Sequence, residues 1–207
     1  MRLRQQFPYL KDNMKIHHSD ISALANYAAH LKGLPEADRY TRFCYNIKDT
    51  GIDQFILSIL YHPDDHHLFT ATIDDTIVGF GHLAREGEDW ELAVSVDGIH
   101  QGKGVADKLM DFMVDWGKTR GVHSVFMHCI TQNTKIQHLA RKHGLRMVER
   151  DGAEITSRVD LPRPTTMDYT ADFVREQREL LEQMTEIQRR LWSNLNPLTY
   201  AKEHTLD

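Results

Sequence analysis

The sequence predicts an α/β fold of α+β character: a mixed, mostly antiparallel sheet flanked by helices, followed by a helical extension at the C-terminus. Three observations carry that prediction. Apolar residues recur at helical spacing up to about residue 60, short Val-, Ile- and Thr-rich segments begin abruptly at Leu68, and helix and strand periodicities then alternate as far as Leu161. A chain of 207 residues suits one ordinary domain with an appendage. Its 41% hydrophobic and 27% charged residues supply a core without the bias of a disordered chain. Residues 1–161 are therefore read as one domain, and residues 162–207 as a linker with a helical extension.

Taken in order, residues 14–17 read as a short strand. Ser19 or Asp20 then caps a helix carrying Ile21, Leu24, Ala25, Ala28 and Leu31, which Gly33 and Pro35 bring to an end. A second helix begins at Glu36. A third contains Phe55, Ile56, Ile59 and Leu60 and stops before His62-Pro63. Residues 68–73, 76–84 and 90–96 form an antiparallel meander whose first turn is Asp74-Asp75. After a glycine-rich loop, Val105, Leu109, Phe112, Met113 and Trp116 share one face of a helix closed by Gly117. A strand at 122–130 follows, then a helix opened by Asn133 or Thr134 and ended at His143-Gly144, then strands at 145–150 and 154–161 around Asp151-Gly152. Pro162 and Pro164 break the pattern. Residues 170–192 are helical again, with Leu180, Met184, Ile187 and Leu191 in a stripe that needs a cover, either the same chain or a second copy in a homodimer.

Several function classes are excluded by composition. Twenty-five Lys and Arg against thirty Asp and Glu give a net charge of -5, which argues against a dedicated nucleic-acid binder. No apolar run approaches the ~20 residues needed to span a bilayer, and residues 1–10 lack the apolar centre of a signal peptide, so the cytoplasm is the expected location and no membrane partner is expected. Cys44 and Cys129 are the only cysteines, without a CxxC pair, and are expected to be buried small hydrophobes. Thirteen histidines, including those of His62-Pro63-Asp64-Asp65-His66-His67, show no ligand spacing on a helix face, so no metal site is assigned. Arg39 and Arg42, a turn apart on a helix, have contact with a phosphate or substrate as one reading and surface pairing with Asp38 or Glu36 as the expected one.

The most informative stretch runs from Val94 to Ala106, where a strand passes through Gly98, Gly102 and Gly104 directly into an amphipathic helix. Free amides and the positive end of the helix dipole at such a junction suit a phosphate group. Gly102 and Gly104 would let it approach, and Lys103 would add a point charge. The spacing departs from a P-loop, and the antiparallel setting departs from a dinucleotide-binding turn. A plain tight turn is the remaining structural reading.

Gln101-Gly102-Lys103-Gly104-Val105-Ala106 matches the Q/R-x-x-G-x-G/A motif of the GNAT superfamily of acyl-CoA-dependent N-acetyltransferases, and residues 133–145 are similar to the second signature of that family. Residues 91–96 and 34–43 resemble the branch that accompanies acyl-CoA synthetase-like domains and acetylates protein lysines, although no synthetase-like part is present in these residues. The resemblance implies the GNAT fold, with acetyl-CoA as co-substrate and the amine of a small molecule or protein lysine as acceptor. It implies that the pyrophosphate rests on the amides of Gln101, Gly102, Lys103, Gly104, Val105 and Ala106. The pantetheine arm would lie along Val94, Ser95 and Val96, using the backbone of Val94 and Val96, where the fourth strand splays from the next.

Asn133 would reach the same arm, or serve simply as a helix cap; the two roles are compatible. Glu91 is the candidate catalytic base by the same resemblance, the alternative being a solvent-facing strand carboxylate. The tyrosine that many relatives use as an acid is replaced by Ala140. One of His128 and Cys129 is expected to face the cofactor gap. The opposing class of function is a non-catalytic acyl-CoA-binding regulatory module.

Overall fold

The computed structural model describes residues 13–195; the segment 1–10 read above lies outside them. The chain divides into two units, Met1–Arg163 and Pro164–Asp207. The first holds seven strands and five helices among its described residues. They are β1 (Met14–Ser19), α1 (Leu24–Gly33), α2 (Glu36–Phe43), α3 (Asp49–Tyr61), β2 (His66–Ile73), β3 (Thr76–Glu86), β4 (Asp89–Val96), α4 (Val105–Thr119), β5 (Ser124–Ile130), α5 (Thr134–Lys142), β6 (Arg146–Asp151) and β7 (Glu154–Asp160). The second unit is described by α6 (Thr166–Leu195).

The seven strands form one sheet in the order β1-β2-β3-β4-β5-β7-β6. Every pairing is antiparallel except β4 with β5. That single parallel step follows from the chain: α4 crosses over between β4 and β5, and a helical crossover returns the next strand in the same direction. The β2–β3 turn rests on Asp74 and Asp75, both with positive φ (49° and 58°), the backbone twist that two-residue hairpins require. β6, at the edge, is exposed along its whole length and carries Arg146, Glu149, Arg150 and Asp151, which discourages further pairing.

Two apolar clusters cover the sheet. On one, Leu109, Met110, Met113 and Trp116 of α4 pack with Phe69, Val78, Leu83, Leu92 and Val125. On the other, Tyr27 and Leu31 of α1 and Ile52 and Ile59 of α3 pack with Leu68 and Phe80. The strand alternation divides β4 accordingly: Trp90, Leu92, Val94 and Val96 join the α4 cluster, leaving Glu91, Ala93 and Ser95 on the opposite face.

Three expectations need correction. α4 does not end at Gly117 but two residues later, and the chain reverses at Gly121, where φ is +79°. Gly117 serves packing: an added Cβ would lie 3.2 Å from Val122, whose N–H bonds the Gly117 carbonyl at 3.0 Å. Arg39 and Arg42 do not pair with Asp38 or Glu36. Arg39 reaches Asp49 at 2.6 Å and the carbonyls of Leu34 and Lys32, whereas Arg42 turns inward to the Tyr27 hydroxyl at 3.2 Å. Cys129 is buried, but Cys44 is only half-buried, in the left-handed position that ends α2 (φ 61°).

Candidate active site

The site is built where β4 stops pairing with β5. Only Trp90 with Val125 and Glu91 with Phe126 form rungs between these strands; from Leu92 onward the two diverge. Asp97 N–H bonds back to Val78 of β3 at 3.0 Å, and the Val96 carbonyl accepts from the Gln101 side chain at 3.2 Å on the other side. Main-chain groups in an antiparallel strand alternate between neighbours, so Val94 presents its N–H and C=O to the gap as Val96 does. The result is an open strand edge beside a cleft of about 970 Å³.

At one end of the cleft the loop enters α4. Gly102 and Gly104 have φ of 74° and 88°, and a Cβ added at either would meet nothing within 4 Å. Glycine is needed there for the left-handed backbone and not for lack of room. No side chain caps α4, and its first helical bond is Lys108 N–H to the Gly104 carbonyl at 3.1 Å. The amides of Val105, Ala106 and Asp107 therefore lack intrahelical acceptors at a positive dipole end that lines the cleft. These features fit a diphosphate ligand.

Of the sequence-predicted residues, Val94, Ser95, Val96, Gln101, Gly102, Gly104, Val105, Ala106 and Asn133 line the cleft. Lys103 and Glu91 are not among its lining residues. Glu91 lies half-buried at the last rung of the β4–β5 ladder, where the strands part. Asn133 caps α5: its Oδ1 accepts from Ile136 N–H at 3.1 Å, which leaves its amide NH₂ as a donor. Neither His128 nor Cys129 is among the lining residues of the cleft. His128 is exposed beside Thr156, 3.1 Å away, and Cys129 is buried against the Ile155 carbonyl.

Side chains that the sequence reading did not assign complete the walls. Ala37, Tyr40 and Thr41 of α2 border the cleft, with Ile136, His138 and Leu139 of α5. His100 also lines it, with a buried Nδ1 that has no hydrogen-bond partner. Asp107 accepts from Lys142 and, at 2.9 Å, from His143, tying the start of α4 to the end of α5. Burial works against that carboxylate, but the two bonds outweigh it and hold the Asp107 pKa below the ordinary range. Ser95 Oγ lies 2.9 Å from His30 Nε2, and His30 Nδ1 lies 3.0 Å from Asp97.

On the Glu91 face of the sheet, Arg42, Tyr27, His82 and His66 form a polar layer. Arg42 Nη2 lies 3.4 Å from His82 Nδ1, and His82 Nε2 lies 3.1 Å from His66 Nδ1. Burial drives the His82 pKa well below the ordinary histidine value, and the Arg42 charge adds to it. With the ring neutral, Arg42 donates to Nδ1, and Nε2–H donates onward to His66. Burial opposes the Arg42 charge, yet Tyr27 and Glu91 more than compensate and raise its pKa. Burial first, then the nearby Glu154 and Glu91 carboxylates, push the Cys44 thiol up to about 11.

A sequence profile of the Acetyltransferase (GNAT) family matches residues 34–145. Among solved structures, the GNAT domain of S. lividans PAT is similar over 72% of this chain and 90% of that one, at 18% identity and a TM-score of 0.61. The putative acetyltransferase yncA from Salmonella typhimurium, solved with acetyl-CoA, aligns over 75% and 98% of the two chains, at 17% identity and a TM-score of 0.60. Spermidine N-acetyltransferase from Vibrio cholerae, in complex with CoA and spermine, aligns over 72% and 96%, at 14% identity and a TM-score of 0.58.

Proposed function

The chain belongs to the acetyltransferase (GNAT) family, and from that premise we propose that it transfers the acetyl group of acetyl-CoA to a primary amine, on a small molecule or a protein lysine, by direct attack in a ternary complex. The observation that carries this reading is the two-rung β4–β5 ladder opening onto a cleft that ends at the uncapped start of α4. A coenzyme A diphosphate fits the amides of residues 102–106, and a pantetheine amide fits the strand edge at Val94. The carbonyl of Val96 is already engaged by Gln101, which leaves Val94 as the residue for that pairing.

An alkylammonium, with an ordinary pKa near 10.4, must lose a proton before its nitrogen can attack. Glu91 is the proposed acceptor, directly or through one water. Its support is its place at the fork of the two strands and on the face of β4 opposite α4. As nitrogen bonds to the acetyl carbon, negative charge grows on the carbonyl oxygen, and Val94 N–H at the open edge is the group proposed to stabilise it. The tetrahedral intermediate collapses by breaking the C–S bond, and its nitrogen gives up a second proton to solvent to leave the neutral amide. Ala140, buried in α5, offers no acid, so the thiolate leaves unaided and takes its proton from solvent.

The net charge of -5 favours cationic acceptors at long range. Exposure of Leu180, Met184, Ile187 and Leu191 along α6 supports self-association through that helix, which sedimentation of the full chain and a Leu180→Lys/Ile187→Lys variant would test.

The second reading, a non-catalytic acyl-CoA-binding module, is favoured by the absence of Glu91 from the cleft lining. Calorimetry with coenzyme A and release of free thiol across a panel of amines and lysine peptides separate the two. Acetyl transfer requires amine-dependent release, with Glu91→Gln lowering turnover by about 10²- to 10⁴-fold while coenzyme A affinity is kept. Binding without amine-dependent release would favour the module, and full turnover in Glu91→Gln would remove that residue from the mechanism.

A further inference from the structure

One group of side chains reaches the cleft through Ser95, which lines it, while its partners His30 and Asp97 lie behind the lining. Ser95 Oγ, His30 Nε2, His30 Nδ1 and Asp97 Oδ1 form a continuous chain with links of 2.9 and 3.0 Å. Ser95 and His30 come together across 65 positions of sequence, from β4 and α1. The His30 side chain is only 4% exposed and its ring lies 5.2 Å from that of Phe80, the cross-strand partner of Ser95, so packing sets its orientation. Asp97, 41% exposed, reaches in from the end of the strand.

The protonation pattern follows from the contacts. A carboxylate only accepts, so Nδ1 carries the hydrogen and donates to Asp97; Nε2 is then a lone pair, and Ser95 O–H donates to it. Burial lowers the His30 pKa against the pull of Asp97, which keeps the ring neutral and able to receive a proton. A strand position that faced only a core would be filled more cheaply by an apolar residue, since a buried serine and imidazole gain little over apolar side chains. Ser95 instead lines the cleft.

We propose that Asp97, His30 and Ser95 form a nucleophile triad at the cleft, in which Ser95 accepts the acyl group of a bound thioester and passes it to water, a slow thioester hydrolase activity shown when no amine is bound. The identity of the thioester as acetyl-CoA rests on the function proposed above. Ser95 Oγ attacks the acetyl carbon as its proton moves to His30 Nε2. The C–S bond breaks, and the departing thiolate takes that proton, leaving acetyl-Ser95 and free coenzyme A. Water then attacks the ester carbon, giving one proton to His30; the C–Oγ bond breaks, Ser95 recovers that proton, and acetic acid leaves and ionises by releasing its remaining proton to solvent. Asp97 is a positioning residue, holding the imidazole tautomer throughout.

The experiment tests the nucleophile separately from the coenzyme. A fluorophosphonate reagent, which needs no coenzyme A, is applied to the full chain and the modified peptide located by mass spectrometry. In parallel, acetyl-CoA is added without amine, and thiol release and acetylation of the chain are followed. The expected result is modification at Ser95 and thiol release, both lost in Ser95→Ala and slowed about 100-fold or more in His30→Gln. Asp97→Asn slows modification and Asp97→Glu restores part of the rate, which a merely structural aspartate would not do. Ser95→Ala removes a single oxygen atom and so keeps the test interpretable if His30→Gln fails to fold. Wild-type protein that leaves Ser95 unmodified, or thiol release unchanged in Ser95→Ala, overturns the proposal. Modification at Ser95 without coenzyme A binding by calorimetry would support the nucleophile and overturn the acetyl-CoA reading of the cleft.

Discussion

Gln101 Nε2 donates to Asp38 Oδ2 at 2.9 Å, joining residues 63 positions apart and fastening the loop before α4 to helix α2. The same nitrogen reaches the Val96 carbonyl at 3.2 Å, so one amide group holds the loop, the helix and the end of β4 in register. These bonds fix the loop that presents the amides of residues 102–106. Gln101→Ala removes both. Loss of one or two partly exposed bonds of about 0.5–1.5 kcal/mol each predicts a ~3- to 10-fold rise in KM for acetyl-CoA with kcat little changed. Steady-state kinetics checks the split; a fall in kcat at unchanged KM would place Gln101 in the chemical step instead.

Gly104 offers a different kind of test. Its φ of 88° is one that an L-residue adopts at a cost of about 1–2 kcal/mol, and a Cβ there meets no atom within 4 Å. Gly104→Ala is therefore expected to lower stability by that conformational amount, measurable as a shift in urea midpoint. The added methyl also stands where a phosphate would approach the amides of α4, so affinity for coenzyme A should fall further than stability does. Equal affinity in Gly104→Ala and wild type would show that the diphosphate does not approach here.

The parts of the fold that were legible in sequence are those with a local cause. The β2–β3 hairpin, α4 with Leu109 and Met113 on its buried face, and the strand-to-helix passage at residues 94–106 each follow from spacing or turn chemistry within a short window. Gly117 misled because a glycine near a helix end usually stops it, whereas here the missing Cβ makes room for Val122. Arg42 and His82 were opaque for another reason. Their contact joins residues 40 apart, and no periodicity marks an arginine that leaves the surface for a tyrosine hydroxyl and an imidazole. The same holds for His30 with Ser95. Ser95 was assigned for its backbone position; what its side chain touches depended on the packing of α1 over β4.

A group of histidines beneath β1 and β2 makes stability depend on pH with a definite sign. His67 stacks on Trp90 with centroids 5.3 Å apart and lies 4.5 Å from Trp116, while His18 stacks on Trp116 at 4.7 Å. Burial, then the neighbouring His18 and Arg120 charges, lowers the His67 pKa to about 4; burial and Arg120 lower that of His18. In the unfolded chain both return to about 6.5. Above that pH neither state holds the proton and these residues leave stability unchanged. Below it the unfolded chain binds protons that the native rings refuse until about pH 4 for His67, so stability falls as pH drops through this window. Asp107 acts elsewhere: its depressed pKa means its contribution persists above the ordinary aspartate range and is lost only in stronger acid. His67→Phe keeps an aromatic ring between the two tryptophans and removes one titration. Urea midpoints for wild type and His67→Phe, compared at neutral pH and at about pH 5, should therefore show a smaller acid loss in the variant. An undiminished loss would mean that His67 is protonated in the native state, and that its packing against Trp90 and Trp116 does not exclude water.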